Sequence, residues 1–194
     1  SLLTAQRLHK EMVPRPFLSS CNEHCMEVGK DLSQGGAKYN VGPVITGIGL
    51  AVVANSLAAV RKLVFEDKVC TMDTLAKALQ ANWEGYEDLR AKAQDCPKYG
   101  NDDDYVDDIA TKVANHYYHE VHQYKDVFGN PFTTAFMGIS NYIPMGRVLG
   151  ATPCGRRNGD PSSEGVSPYV GTDKSTPLAA MRSTTKVNQE IHSG

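Results

Sequence analysis

The sequence predicts a mostly helical chain with one to three β-strands and one long ordered loop. Three stretches repeat apolar residues at helical spacing, one is rich in β-branched and aromatic residues, and one is rich in glycine and proline. One helix is predicted over Gly49–Phe65. Its apolar stripe consists of Leu50, Val53, Leu57, Val60 and Val64.

Two more long helices are predicted from the same spacing. Thr71–Ala93 is predicted as one continuous helix, and Asp102–Tyr124 is predicted as another. The stripe of the first is Leu75, Leu79, Trp83 or Asn82, Tyr86 and Leu89, and that of the second is Val106, Ile109, Val113, Tyr117 and Val121. A break is expected between them at the segment CPKYGNDDD.

Shorter helices flank these. Leu2–Met12 is predicted to end a helix before the prolines at 14 and 16, so the chain begins inside a helical pattern. Ser20 and Glu23 fit a capping box for the next helix, which Gly29 can end. Gly35–Asn40 and the following VGP predict a tight polar turn region, and a last helix is predicted to begin at Leu178–Met181.

The second half of the chain changes in character. Thr134–Tyr142 is rich in β-branched and aromatic residues and is predicted as a strand. Val148–Asp173 then carries five glycines and three prolines with spaced apolar residues among them. A segment of this length without regular structure is usually functional or disordered, and its spaced apolar residues favour an ordered loop.

Composition excludes several classes of protein. The 194 residues carry a net charge of −2, which gives no general affinity for nucleic acid. No apolar run approaches the roughly 18–20 residues of a membrane span, and no signal peptide opens the chain. The five cysteines are unevenly spaced and are interpreted as free thiols in a reducing cytoplasm.

Three motifs have both a chemical and a structural interpretation. The segment Asn101–Asp104 could bind a metal, but helix capping by Asn101 or Asp102 is favoured. The histidines at 116, 119 and 122 do not match H-E-x-x-H, so a solvated helix face is favoured over a metal site. The segment Gly155–Arg157, GRR, could bind a phosphate or carboxylate, but hydrogen bonding of an arginine to backbone carbonyls is favoured.

Four segments, in this order, resemble the glycyl radical enzymes over nearly the whole chain. They are RPFLSSCNEHCMEVGKDLSQGGAKYN, GIGLAVVANSLAAVRKLVFED, PKYGNDDDYVDDIA and GRVLGATPCGRRNGDPSSEGVSPYVGTDKSTPLAAMRS. GGAKYN and PKYGNDDDYVD are similar to the dehydratase and decarboxylase branch more than to pyruvate formate-lyase itself. Asn55 and Cys154 depart from the family, whose members often have Asp at the first position and Asp or Asn at the second.

The resemblance implies an α/β fold, a ten-stranded barrel with outer helices. In such enzymes an activating enzyme, using S-adenosylmethionine and an iron–sulfur cluster, installs a glycyl radical. The glycyl radical generates a cysteine thiyl radical, which takes a hydrogen atom from the substrate. Neither the Gly-Cys-x-Glu loop nor the Arg-Val-x-Gly-Tyr loop is present here, and Gly194 is not interpreted as the radical glycine.

The resemblance further implies that residues 1–194 are an internal part of the pyruvate formate-lyase-like barrel domain. No radical cysteine or glycine is expected in this chain, which alone is expected to be inactive and to expose the apolar stripes of Gly49–Phe65 and Asp102–Tyr124. No bound cofactor and no metal are expected. The expected partners are a small-molecule substrate, the activating enzyme and a second copy in a homodimer, without nucleic acid or membrane.

The substrate cavity of the resembling enzymes is lined by the strand that precedes the loop. The candidate substrate-binding residues are therefore Phe136, Met137, Gly138 and Ile139, with Thr46 from the segment GPVITGIG. Strand alternation selects either Phe136 with Gly138 or Met137 with Ile139, and these residues could instead only fill barrel core. Apolar side chains suit a radical site, because solvent must be excluded from it.

The expected activity is radical cleavage of a small organic substrate in a bacterial cytoplasm, by elimination such as dehydration, or by decarboxylation. Two alternatives stay open. One is acyl transfer of the pyruvate formate-lyase type, a formate C-acetyltransferase activity. The other is a non-catalytic binding protein on the same scaffold.

Overall fold

The computed structural model describes residues 2–39 and 43–193. Asn40, Val41 and Gly42, part of the predicted turn region, lie outside the described residues. Within those ranges the helices are α1 Leu2–Met12, α2 Pro16–Ser20, α3 Glu23–Val28, α4 Leu50–Val60, α5 Met72–Gln80, α6 Glu87–Asp95, α7 Asp104–His122, α8 Tyr142–Val148 and α9 Pro177–Lys186. The strands are β1 Val44–Thr46 and β2 Thr133–Ala135. A π-helical turn, Arg61–Glu66, continues α4, and 3-10 turns cover Leu32–Gln34 and Gln189–Ile191.

The chain divides into two compact units. One contains the described residues up to Ile45 together with Tyr118–Thr134, and the other contains Thr46–Tyr117 together with the described residues from Ala135 onward. Helical content dominates both, as the sequence predicts. No helix in the described part of the chain is long and apolar enough to cross a membrane.

In the first unit, Asp31 organises the chain between α2 and the 3-10 turn. Its carboxylate accepts hydrogen bonds from the backbone N–H of Arg15, the hydroxyl of Ser19 and both donors of Ser33. These bonds, above all that from the Ser33 hydroxyl, lower the pKa of Asp31 to about 2.

The helix ends of this unit match the sequence in part. Gly29 ends α3 in the left-handed conformation, with φ 62°, as predicted. The predicted capping box is wrong, because Asn22 occupies the cap position and the Ser20 hydroxyl instead donates to the carbonyl of Phe17.

The core of the second unit lies between α4 and α7. Ala51, Ala54 and Ala58 of α4 are buried in one cluster with Ala110 and Ala114 of α7. The predicted stripe is therefore not the inward face of α4, since Val53 and Leu57 are exposed. Small side chains thus form the face of each helix that is buried in this cluster.

The predicted apolar stripe of α7 is buried or half-buried along its length. The expectation of an exposed stripe is therefore met only in part on Gly49–Phe65, at Val53 and Leu57, and is not met on α7. The N-terminus of α7 is capped by Asp103, whose carboxylate accepts from the N–H of Tyr105 over 3.0 Å. Neither Asn101 nor Asp102 performs this role, because Asn101 bonds the backbone of Lys174 and Ser175 and Asp102 pairs with Lys186.

The predicted continuous helix over Thr71–Ala93 is wrong, because it is divided into α5 and α6. Asn82, Trp83 and Gly85 between them have φ of 52°, 68° and 75°. A left-handed backbone is costly for tryptophan. It is stabilised here by complete burial of the Trp83 ring and by a hydrogen bond from Trp83 Nε1 to the carbonyl of Arg156.

The two short strands form a parallel pair. The carbonyl of Pro43 accepts from the N–H of Thr133, and the N–H of Gly47 donates to the carbonyl of Ala135, so both strands run in the same direction. The predicted strand Thr134–Tyr142 is wrong beyond Ala135. The chain turns at Ser140 and Asn141 and enters α8, whose first turn accommodates Pro144.

Each of the five cysteines is a free thiol. Cys25, Cys96 and Cys154 are buried, Cys70 is half-buried and Cys21 is exposed. The buried thiols behave as small apolar side chains, and burial raises the pKa of Cys96.

Candidate functional site

A cavity of about 370 Å³ lies in the second unit, beyond the carboxyl ends of both strands. Thr46 is the last residue of β1, and Phe136 follows the last residue of β2. Ligands of α/β proteins bind preferentially at the carboxyl ends of parallel strands. The remaining walls include Ile48, Val53 and Tyr117. This cavity is therefore the candidate binding site of the described chain.

Aromatic contacts fix Phe136 in the wall of this cavity. Its ring centroid lies 5.7 Å from that of Tyr117 and 4.8 Å from that of His192, the latter in an edge-to-face arrangement. Burial raises the pKa of the Tyr117 hydroxyl and lowers the pKa of the His192 imidazole. Both shifts favour the neutral form, and the described residues that line the cavity include no Asp, Glu, Lys or Arg.

Gly47 allows the two strand ends to approach each other. A Cβ at this position would lie 2.5 Å from Cε1 of Phe136 and 3.1 Å from Cε1 of Tyr117. Its N–H donates to the carbonyl of Ala135 over 2.8 Å. Glycine at 47 is thus required by the close approach of the Phe136 ring to the backbone.

The glycine- and proline-rich loop holds this site in place. Ser163 accepts hydrogen bonds at the N-terminus of α4, from the N–H of Gly49 to its carbonyl and from the N–H of Val52 to its hydroxyl. A Cβ on Gly165 would lie 2.8 Å from the carbonyl oxygen of Phe136, so the loop packs directly on the chain that follows β2. The segment is an ordered loop, as its apolar residues predict.

The side chain of Arg156 holds the loop together through hydrogen bonds. The residue is 2% exposed, and its guanidinium donates to the carbonyls of Gly146, Leu149, Gly150 and Pro161. Every one of these acceptors is backbone, which confirms the structural interpretation of Arg156 over an anion-binding one.

The structure places two of the five predicted substrate-binding residues at the cavity and three away from it. Thr46 and Phe136 line the cavity together. Met137 is 43% exposed, Gly138 is exposed, and Ile139 is half-buried; none of the three lines the cavity. Strand alternation does not apply to them because β2 ends at Ala135. Contact with substrate stays a prediction for all five residues.

Sequence reasoning missed other lining residues. Tyr117 was assigned only to the core stripe of its helix, and Ile48 and Met145 were not singled out. The pair of glycines at 47 and 49 was the available signal, because a Gly-x-Gly segment between a strand and a helix indicates a close backbone approach.

The other motifs do not form chemical sites. The described residues contain no group of three or more His, Cys, Asp or Glu side chains placed to hold a metal ion. His116 and His119 lie on the exposed face of α7. Asp102 and Asp104 both pair with Lys186, so they bind a lysine of this chain.

Comparison with known proteins agrees with this architecture. The family model described as pyruvate formate lyase-like matches residues 2–146. Trans-4-hydroxy-L-proline dehydratase of Clostridioides difficile is 41% identical over 91% of this chain. Isethionate sulfite-lyase of Bilophila wadsworthia is 36% identical over 84%, and indoleacetate decarboxylase of Tractidigestivibacter scatoligenes is 32% identical over 92%.

Solved structures of related enzymes superpose closely on this chain. Hydroxyproline dehydratase from Clostridioides difficile, with trans-4-hydroxy-L-proline bound, superposes with a TM-score of 0.95 and 38% identity over 99% of this chain. The glycerol-bound B12-independent glycerol dehydratase from Clostridium butyricum superposes with a TM-score of 0.93 and 38% identity over 98%.

The fold is that of part of the α/β glycyl radical enzymes. The chain belongs to the pyruvate formate lyase-like family. It spans 22% of the length of the hydroxyproline dehydratase and 19% of that of the isethionate sulfite-lyase.

Proposed function

We propose that the protein containing this chain is a glycyl radical lyase that cleaves a small organic substrate, by elimination such as dehydration or by decarboxylation. The observation that carries the proposal is the cavity at the carboxyl ends of β1 and β2, with its uncharged aromatic wall. The names of the relatives support it, since they describe dehydratases, a sulfite-lyase and a decarboxylase.

The residues of this chain would bind and enclose the substrate. Phe136 and Tyr117 supply apolar surface that excludes water, and the Thr46 hydroxyl offers a hydrogen bond to a polar group of the substrate. The radical itself is supplied by a cysteine and a glycine that this chain does not contain. The activating enzyme that installs it would use S-adenosylmethionine and an iron–sulfur cluster.

Residues 1–194 are proposed to be an internal part of the barrel domain of that longer enzyme, which would act in the cytoplasm as a homodimer. The coding DNA that flanks residues 1–194 on both sides tests whether the chain is an internal part of a longer enzyme. It is expected to continue into a Gly-Cys-x-Glu loop upstream and an Arg-Val-x-Gly-Tyr loop downstream. A frame without the cysteine or the glycine would contradict the enzyme assignment, because no radical could form.

Activity is tested with the full-length protein, activated anaerobically by its activating enzyme. The expected result is a glycyl radical signal in electron paramagnetic resonance, followed by consumption of one compound from a panel. The panel contains trans-4-hydroxy-L-proline, glycerol, isethionate and indoleacetate, together with pyruvate and coenzyme A. Formate production from pyruvate and coenzyme A would instead establish acyl transfer and contradict the proposal.

The site is tested by substitution in the same enzyme. Phe136→Ala and Thr46→Val are expected to lower kcat/KM by about tenfold or more while the radical signal is retained. Phe17→Ala is the matched control, because Phe17 is exposed and lies outside the cavity. The remaining predicted residues are tested in the same way by Met137→Ala, Gly138→Ala and Ile139→Ala. Unchanged kinetics in the Phe136 and Thr46 variants would show that the substrate binds elsewhere.

A further inference from the structure

A second cavity, of about 380 Å³, lies in the same unit between the segment that joins α6 to α7 and the glycine- and proline-rich loop. Its most buried lining residues are Asn55, Cys96, Lys98, Cys154 and Arg156. No described residue lines both this cavity and the one at the strand ends. The two cavities are therefore lined by different residues, so the second is not part of the candidate substrate site.

Lys98 is a buried cation without a buried anion. The residue is 9% exposed, and its Nζ donates to the carbonyls of Ala93 over 2.9 Å and Cys96 over 2.7 Å. An ammonium carries three N–H donors, so one remains. Within the described ranges, no carboxylate lies within 4.0 Å of Lys98 Nζ. Burial correspondingly lowers the pKa of Lys98.

Asn55 brings a second unused donor to the same cavity. Its side chain is fully buried, and its Oδ1 accepts from the backbone N–H of Tyr99 over 2.7 Å. This bond fixes the orientation of the amide, because only the oxygen can accept. The amide nitrogen Nδ2 has no hydrogen-bond partner in the described part of the chain. A buried donor of this kind costs free energy unless an acceptor is supplied.

Several other polar groups of the cavity are engaged within the protein, and the carboxylate of Asp95 lies at its exposed edge. Arg156 donates to backbone carbonyls, and Arg90 donates to the carbonyl of Gly155 over 2.8 Å. Asp103 and Asp160 accept from the backbone N–H groups of Tyr105 and Arg157. Among the buried lining residues, Lys98 and Asn55 thus remain as the unsatisfied donors, and the cavity is far larger than the roughly 30 Å³ that one water occupies.

We propose that this cavity binds a small oxyanion, a carboxylate or a phosphate, whose oxygens accept from Lys98 Nζ and Asn55 Nδ2. The anion neutralises the buried ammonium and supplies the acceptor that the amide lacks. Lys174, exposed at the edge of the cavity, adds a further positive charge where an anion would enter.

Binding is measured by calorimetric titration of the full-length protein with inorganic phosphate and, separately, with acetate, at fixed ionic strength. Saturable binding of at least one anion is expected. Binding of phosphate alone assigns the site to phosphate groups, and binding of acetate assigns it to carboxylates. Absence of saturable binding of both would overturn the proposal.

The decisive variant is Asn55→Asp. Aspartate has nearly the same shape and still accepts from the N–H of Tyr99, but it replaces the donor with a negative charge in the cavity that Lys98 also lines. Affinity for the anion is expected to fall by about tenfold or more, because a hydrogen bond is lost and the new carboxylate repels the anion. The matched control is Asn141→Asp, the same chemical change at an exposed residue outside the cavity, which is expected to retain affinity.

The position of the bound anion is tested without any substitution. Crystals of the full-length protein soaked in selenate are expected to show an anomalous difference peak within hydrogen-bond distance of Lys98 Nζ. Equal affinity in Asn55→Asp and the control, or a peak only on the surface, would assign the binding to an adventitious surface ion and overturn the proposal. Because Asn55→Asp keeps the Tyr99 hydrogen bond, its circular dichroism spectrum is expected to match that of the control.

Discussion

The indole nitrogen of Trp83 donates a hydrogen bond to the backbone carbonyl of Arg156 over 3.2 Å, and both residues are buried. This bond joins the break between α5 and α6 to the loop that supports the candidate site. The Arg156 side chain then extends the connection to four carbonyls within the loop and α8. The order of the loop therefore depends on a tryptophan that is distant in sequence.

Replacement of Arg156 by methionine is expected to loosen the loop. Four carbonyls would lose a charged donor in an environment with little access to water, at a cost of about 3 kcal/mol or more. Hydrogen–deuterium exchange in peptides from residues 148–173 is expected to rise. Arg157→Met is the control, since the neighbouring arginine contributes its backbone N–H and carbonyl, and not its side chain, to the bonds described for this loop. Equal exchange in the two variants would show that Arg156 does not hold the loop.

Lys186 holds α9 against the start of α7. Its Nζ lies 2.9, 2.7 and 2.8 Å from carboxylate oxygens of Asp102, Asp104 and Asp107, and Asp107 is fully buried. Lys186→Met is expected to destabilise the protein by about 3 kcal/mol, because the charge of Asp107 is left uncompensated. The measurement is the shift in thermal unfolding midpoint relative to Lys112→Met, which removes an exposed lysine of α7.

A second substitution distinguishes charge from packing at this contact. Adding Asp107→Asn to Lys186→Met removes the buried carboxylate, so part of the lost stability is expected to return. No recovery in the double variant would mean that the lysine acts through packing of its aliphatic chain.

The network around Asp31 predicts a pH dependence. The pKa of Asp31 is lowered to about 2, against about 3.8 for a free carboxyl, so the folded state binds this proton less readily than the unfolded state. Its stabilising contribution is therefore complete above pH 4 and is lost as the pH falls from about 4 to about 2. The difference in free energy of unfolding between the wild type and Asp31→Asn is expected to shrink over this interval. A constant difference would contradict the assignment.

Gly47→Ala tests the geometry of the candidate site. The added methyl group would meet the Phe136 ring at 2.5 Å, so the ring must move into or away from the cavity. In the activated full-length enzyme we expect kcat/KM to fall by about tenfold, with the glycyl radical signal unchanged. Gly150→Ala is the matched control, because a Cβ there has no neighbour within 4 Å. Equal activity of both variants would show that the position of the ring is unimportant.

The sequence predicted elements where local periodicity and tertiary packing agree. Helix α7 was located almost to its ends because its stripe of five apolar residues is buried or half-buried along its length. Helix α4 was located as well, but its inward face was not, since alanine gives a weak apolar signal and the valine and leucine residues mark the opposite side.

The errors arose where a distant contact overrides local preference. Trp83 fits a continuous helical stripe, and only its hydrogen bond to the loop explains why the helix is divided there. Similarly, residues beyond Ala135 have strand propensity, but Gly165 of the loop packs against the backbone at Phe136. Of the candidate site, Thr46 and Phe136 were predicted through resemblance, whereas Tyr117 required the spatial arrangement.

The two sides of α4 tolerate different changes in side-chain size. Ala51, Ala54 and Ala58 have no exposed surface in their cluster, so a larger side chain there would have to displace its neighbours. Val53, on the other side, is partly exposed and borders the cavity. A change of size at this one position would thus alter the shape of the pocket while the buried face of the helix stays as it is.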